Sequence, residues 1–429
     1  MRRKETAMNQ YIHTPEGVRD IYGKEYAARL EIRGKIHSMF HRFGYQDIQT
    51  PSFEFYDIFS EEKGSVSSRE MFKFFDRDGE TMVLRPDMTP AIARCAAKYF
   101  SDEQLPLRLS YIENTFINRT SLQGRLKEFT QAGVELLGDG SPEADGEILA
   151  LTIQCLLAAG LTDFQLEVGH VGFLQGLLEE AKLSPETEES ICKLLSNKNY
   201  FGVEEQIGRC SVDPEIKSAF ARLPELFGTV EQIMEAVGLV RSEKALQAIE
   251  RLQQVYQVLC CYGLEQYVSF DLGMVGRYHY YNGMIFKGYT YGSGRPVVTG
   301  GRYDNLMEQF GRKAQAVGFA IVLDSVMAAL NRQKIAVDFE WPQVIFVYTQ
   351  EQREAAIARV CNMRRNGMMV CLQKMPPENL AGKNDVDNGT MSSVEQVVWL
   401  ESCISYAASH GFTKLCYLNE DGFVQEVQV

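Results

Sequence analysis

Strand-forming sequence lies on both sides of a long helical block, and this arrangement most constrains how the chain can fold. Leu107–Phe116 and Glu128–Leu137 read as antiparallel strands around a polar loop at 118–124. From about 172 to 262 the residues are rich in Leu, Glu and Lys and are nearly free of strand signal. Strand signal returns at 268–274 and 284–291, with glycines gathered between 288 and 301. Strands on either side of the block belong to one α+β unit, so the block is a helical insertion.

Local signals fill in the rest. Ala28, Ile32, Ile36 and Phe40 recur at helical spacing, predicting a helix over 26–43 that stops at Gly44. A short strand follows at 45–50. A hairpin joins 71–75 to Thr81–Leu84 through Asp76-Arg77-Asp78-Gly79. Thr89–Tyr99 reads as a helix, 148–160 as a buried amphipathic one, and helices at 304–310 and 320–330 close the large unit. Beyond Trp341 a smaller α/β unit is expected. Its strands are Val344–Tyr348, 369–372 and Lys414–Leu418; its helices are 351–365 and 394–409, with a polar loop at 379–393. The expected division is a core at 1–332, with its insertion at about 172–262, and a C-terminal domain at 342–429.

A chain of 429 residues with 45% hydrophobic and 24% charged residues is globular and suggests two or three domains. Its net charge of -13 gives no general attraction for phosphate backbones, so nucleic-acid binding is not expected. The cations of Met1–Lys4 read as a solvated tail. No apolar run reaches the ~18 residues of a membrane span, and no secretory signal opens the sequence, so a cytoplasmic protein is expected. Ten cysteines without CxxC spacing read as free thiols. His37 and His41 stand four apart on one helix, but no HExxH surrounds them, and the spacing indicates no metal site. Phosphate loops of the GxxxxGK[ST] and GxGxxG types and the GxSxG elbow are absent. No cofactor is expected.

Five longer strings occur in order: TPEGVRDIYGKE from Thr14, LRPDMTPAIAR from Leu84, QGRLKEFTQAGVELLG from Gln123, YYNGMIF from Tyr280 and GGRYDNLMEQFG from Gly300. Together they resemble the catalytic core of class II histidyl-tRNA synthetases, over about 12–332. The resemblance implies an antiparallel sheet with flanking helices in a homodimer, the segment 45–59 lying at the dimer interface. It also implies a histidine pocket. Asp87 and Thr89 match the acid and threonine that hold the substrate ammonium. Gln131 and Glu135 match the glutamine and glutamate that reach the α-groups and the imidazole, and their spacing of four puts both on one face of a strand. Tyr281 and Tyr303 match tyrosines lining the imidazole pocket, with Tyr280 beside them. Asp87 is one methylene shorter than the family's glutamate, and Thr130 stands where the family has a histidine.

The ATP half departs from the family. Ile117 stands where an arginine holds the α-phosphate, and Arg119 replaces the following glutamate. Ser325 stands where another arginine grips the ATP tail. Gly276 aligns with the arginine that acts on the carboxylate under attack, although Arg277 is next to it and could reach a carboxylate. Positioned donors of this kind are each worth ~3–4 kcal/mol. A chain keeping the histidine pocket without ATP chemistry is similar to the regulatory subunits of ATP phosphoribosyltransferase. That resemblance implies a non-catalytic subunit required by a short-form catalytic partner in histidine biosynthesis. It would bind L-histidine for feedback inhibition as a homodimer within a hetero-oligomer, with the moving elements placed at 118–124 and 288–301. The alternative is an active histidyl-tRNA synthetase that draws its cations from Arg119 and Arg277. Between Glu351 and Val429, seven Lys and Arg face ten Asp and Glu. This net negative unit is poorly suited to tRNA and reads as a protein-interaction unit.

Overall fold

The computed structural model describes residues 12–59, 66–119, 126–276, 280–375, 393–419 and 421–429. Met1–Lys4, residues 120–124 of the polar loop, Arg277 and residues 379–392 lie outside the described residues. The chain divides into two compact units, Met1–Val337 and Asp338–Val429. Among the described residues, no helix is long and apolar enough to cross a membrane. All ten cysteines are free thiols.

The larger unit is built on nine strands: β1 (Gln46–Asp47), β5 (Leu107–Phe116), β6 (Glu128–Leu137), β7 (Phe164–His170), β8 (Phe227–Gly228), β9 (Val268–Asp271), β10 (Met284–Thr290), β11 (Val298–Arg302) and β12 (Ala316–Val322). They lie in the order β1-β5-β6-β12-β11-β10-β7-β9-β8. The run from β5 to β7 is antiparallel throughout, as expected, whereas β1 on β5 and β7 on β9 are parallel. A separate antiparallel sheet orders β2 (Phe53–Phe55), β4 (Thr81–Leu84) and β3 (Lys73–Phe75) as β2-β4-β3. Its expected hairpin turns at Gly79 (φ +87°), with Asp76 Oδ1 accepting from the backbone of Asp78 and Glu80.

The helix Gly23–Arg42 buries Ala28, Ile32, Ile36 and Phe40, the stripe the spacing marks out. It packs against the helix Pro142–Ala158, which covers the same sheet. The insertion forms as helices, including Val171–Ala181, Pro185–Ser196, Tyr200–Arg209, Pro214–Arg222 and Glu243–Tyr262. β8 interrupts it and pairs with β9, so the insertion contributes an edge strand to the sheet.

Three local expectations are corrected. The helix expected at 320–330 begins at Leu323, because residues 316–322 form central strand β12. That strand sits between β6 and β11 as a nearly continuous apolar run, which sequence periodicity cannot tell from a buried helix. The helix expected at 304–310 reduces to a 3-10 turn, Met307–Phe310, since the Asp304 carboxylate turns away to accept from the Ala316 N–H at 3.0 Å. β9 ends at Asp271, whose Oδ1 takes the Gly273 N–H at 2.9 Å. Strand β7 drew no expectation.

The smaller unit orders β13 (Val344–Tyr348), β14 (Val370–Lys374), β15 (Lys414–Leu418) and β16 (Val424–Gln428) as β14-β13-β15-β16, parallel except for β15 with β16. Side chains of β13 alternate between two cores. Ile345 and Val347 join Trp399, Cys403 and Ala407 of the helix Ser393–Ser409; Phe346 joins Ala356 and Val360 of the helix Arg353–Arg365.

Candidate functional site: a carboxylate and tyrosine pocket

The central strands set this pocket. On β6, Gln131 and Glu135 share a face, and both are buried. Glu135 pairs in register with Gly318 of β12. A Cβ at Gly318 would run into the Glu135 carboxylate and the Val134 carbonyl, so only glycine lets the Glu135 side chain lie across β12. Tyr303 follows β11, anchored by its N–H on the Ala316 carbonyl at 2.7 Å. Tyr280 and Tyr281 precede β10, Asp87 follows β4, and Thr89 opens the helix Thr89–Tyr99.

All seven described residues expected at the site come together around one narrow cavity. As the side chains stand, the room inside is about that of one water molecule, so an amino acid enters only as they part. Arg277 lies outside the described residues. The sequence reading did not single out Thr299, Gly318, Phe319 and Ala320 as lining residues. The Gly-Phe-Ala string at 318–320 was legible, but only the register of β12 against β6 reveals that it is the floor.

The polar groups are mostly bonded to one another. Thr89 Oγ1 donates to Glu135 Oε1 at 2.7 Å, and the Tyr303 hydroxyl donates to Glu135 Oε2. Tyr280 donates to Asp87 Oδ2 at 2.9 Å, while Asp87 Oδ1 accepts from the Met88 N–H at 2.8 Å. The Tyr280 ring meets those of Tyr281 and Tyr303 edge-on, with centroids 5.0 and 5.7 Å away. Gln131 Oε1 is the exception: it is buried in the cavity wall without a hydrogen-bond partner among the described residues. An acceptor left so costs ~1–3 kcal/mol, which a ligand donor would recover. Burial raises the Glu135 carboxyl to about 8, against the opposing bonds from Tyr303 and Thr89 and with nearby Asp87 adding to the rise. Tyr303 is held well above its ordinary value by burial and by Glu135. At neutral pH Glu135 is therefore mostly protonated and Tyr303 neutral.

The positions that depart from the synthetase pattern lie elsewhere. Ile117 is buried, and its N–H bonds the Lys127 carbonyl at 2.8 Å. Ser325 is in the first turn of the helix Leu323–Arg332, beside Asp324. Asp324 takes both Arg29 amino groups at 2.6 and 3.1 Å and the Thr130 N–H at 3.0 Å. Arg119 pairs with Glu70 at 3.4 Å. Buried Arg85 is held by Glu113 and by the carbonyls of Thr50, Pro51 and Asn114.

Comparison with known proteins agrees with this architecture. The model of the histidyl-tRNA synthetase family matches residues 17–326. The ATP phosphoribosyltransferase regulatory subunit of Acetivibrio thermocellus is 42% identical over 361 residues, covering 84% of this chain and 86% of its own. That of Halalkalibacterium halodurans is 37% identical, covering 92% of this chain and 97% of its own. The chain belongs to the ATP phosphoribosyltransferase regulatory subunit family. A crystal structure from Bacillus halodurans, described as an ATP phosphoribosyltransferase regulatory subunit/histidyl-tRNA synthetase, superposes with a TM-score of 0.78 at 36% identity over 87% of this chain and 94% of that one. Histidyl-tRNA synthetase from Nostoc shares the fold at 18% identity, with a TM-score of 0.76 over 97% of this chain and 96% of its own. Members of the family are thus named as regulatory subunits, while the core they share is that of a class II synthetase.

Proposed function

We propose that this chain is the non-catalytic regulatory subunit of a short-form ATP phosphoribosyltransferase. It binds L-histidine in the Glu135 pocket and conveys feedback inhibition to the catalytic partner. It acts in the cytoplasm, as a homodimer within a hetero-oligomer. The observation that carries the reading is the buried Gln131 Oε1, without a partner among the described residues and facing the same cavity as two carboxylates. Such a set asks for a ligand rich in donors, and histidine offers an ammonium and an imidazole. Asp87 and Thr89 receive the ammonium, with Gln131 Oε1 as a further acceptor. Glu135 passes its proton to the imidazole as the pair forms and then stands as its anionic partner, oriented by Tyr303 and Thr89.

Regulation without chemistry requires histidine to bind two conformations of the assembly with different affinities. The coupling is reciprocal, so substrates on the catalytic subunit change histidine affinity here by the same factor, about 5–150-fold for ordinary allosteric couplings. The element that changes shape is the glycine-rich connection 288–301, which borders the pocket through Thr299. The acidic C-terminal unit serves in protein contacts.

Titration calorimetry with L-histidine tests the pocket. Saturable one-to-one binding that Glu135→Ala removes supports it. Equal binding by wild type and variant, or no binding by either, contradicts it.

A further inference from the structure

A second cluster of chemistry-bearing side chains lies at the β1 edge of the large sheet. His37 and His41 occupy successive turns at the C-terminal end of the helix Gly23–Arg42. The chain then reverses at Gly44 (φ +79°), where the Tyr45 N–H returns to the Phe40 carbonyl at 3.1 Å. This tight turn brings Asp47 of β1 back beneath the two imidazoles. His37 Nε2 is 2.8 Å from Asp47 Oδ1, and His41 Nε2 is 3.0 Å from Oδ2. The imidazole centroids are 4.2 Å apart, and one ligand atom from each residue falls within 4.8 Å of the others. In the single chain His37 is half-buried, while His41 and Asp47 are exposed, Asp47 lying in the segment 45–59 that the synthetase resemblance sets at the dimer interface.

We propose that His37, His41 and Asp47 form a binding site for a divalent transition-metal ion of the zinc type. Two imidazoles and one carboxylate are the donor set that borderline ions take, with the remaining position left to water. Tetrahedral zinc holds its ligand atoms at about 2.0–2.2 Å and hence about 3.3 Å from one another, so the cluster opens only slightly to admit the ion. Each imidazole then offers its Nε2 lone pair and keeps its proton at Nδ1. Ser110 Oγ donates to Asp47 Oδ1 at 3.1 Å, the kind of supporting bond that orients a ligating carboxylate. The groove alongside is lined by Arg33 and Glu113, one charge of each sign. Sequence spacing indicated no site because the third ligand arrives only through the Gly44 reversal.

The test uses the untagged full chain, stripped with chelator and titrated with zinc chloride by calorimetry. Exposed Cys260, Cys261 and Cys361 are competing thiols, so the control is the His37→Ala/His41→Ala double variant, which keeps every cysteine. The expected result is one zinc per chain in the wild type and loss of that site in the double variant. Asp47→Asn should weaken binding by more than tenfold and Ser110→Ala by about tenfold. With cobalt(II), the wild type should show ligand-field bands without sulfur-to-cobalt charge transfer. Equal zinc uptake by the wild type and the double variant, or no uptake by either, overturns the proposal.

Discussion

Tyr303 donates its hydroxyl to Glu135 Oε2 across strand β12, and both side chains are almost fully buried. Thr89 fills the other carboxylate oxygen. This places an acid in the middle of the core with partners for its oxygens and, among the described residues, no cation beside it. Its high pKa of about 8 follows mainly from that burial.

The first consequence is a pH-dependent stability. In the folded chain Glu135 keeps a proton that the unfolded chain releases near the ordinary value of 4.5. Stability from this group is full below that value and is lost as pH rises through about 8. Glu135→Gln keeps the shape and removes the titration. Without histidine, the two proteins should melt close together near about pH 5, and the variant should melt higher by a few degrees above about pH 8. Parallel melting profiles across this window would contradict the assignment.

Histidine affinity should itself be bell-shaped in pH. Neutral imidazole and protonated Glu135 carry one proton between them, and the ion pair they form carries the same one. Above about 8 the empty pocket has lost that proton. Below about 6.5 the free imidazole has gained another. Binding should be strongest between these limits and weaken about tenfold per pH unit beyond either. Calorimetry in buffers of different ionisation heat should show almost no net proton exchange within the window. A flat profile, or strong proton release at neutral pH, would count against proton transfer from Glu135.

Gly318→Ala probes the floor of the pocket. Its Cβ would displace the Glu135 carboxylate, and the backbone of Val134 leaves no room to yield. Histidine binding should fall by at least about tenfold, with a stability loss of about 1–3 kcal/mol. Chemical denaturation and calorimetry on one preparation separate the two effects, and unchanged affinity would remove Gly318 from the account.

Adenylation should be absent. Buried Ile117 and hydroxyl-bearing Ser325 offer no charge to ATP, and Arg119 is engaged by Glu70. Histidine-dependent exchange of pyrophosphate into ATP should stay at the level of a protein-free blank. Turnover well above it would revive the synthetase reading.

Much of this was legible in the sequence where local pattern and tertiary context agree. Strands Leu107–Phe116 and Glu128–Leu137 appear with their expected bounds, because each is long and bordered by polar turns. The seven described site residues converge because each sits in a string whose order fixes its place in the sheet. What stayed hidden depends on contacts distant in sequence. β12 is apolar on both faces and so lacks a strand's alternation. Asp304 spends its side chain on the Ala316 N–H instead of starting a helix. Gly318 becomes part of the pocket only through its register with Glu135.

Reconstitution of the complex tests the central claim most directly. The purified chain is mixed with a short-form ATP phosphoribosyltransferase catalytic subunit, and transfer from phosphoribosyl pyrophosphate to ATP is followed with increasing L-histidine. The wild type should activate the partner and confer inhibition by histidine. Glu135→Ala should activate to a similar extent while the inhibition at low histidine disappears. Inhibition as strong with Glu135→Ala as with the wild type would place the feedback site elsewhere and contradict the account.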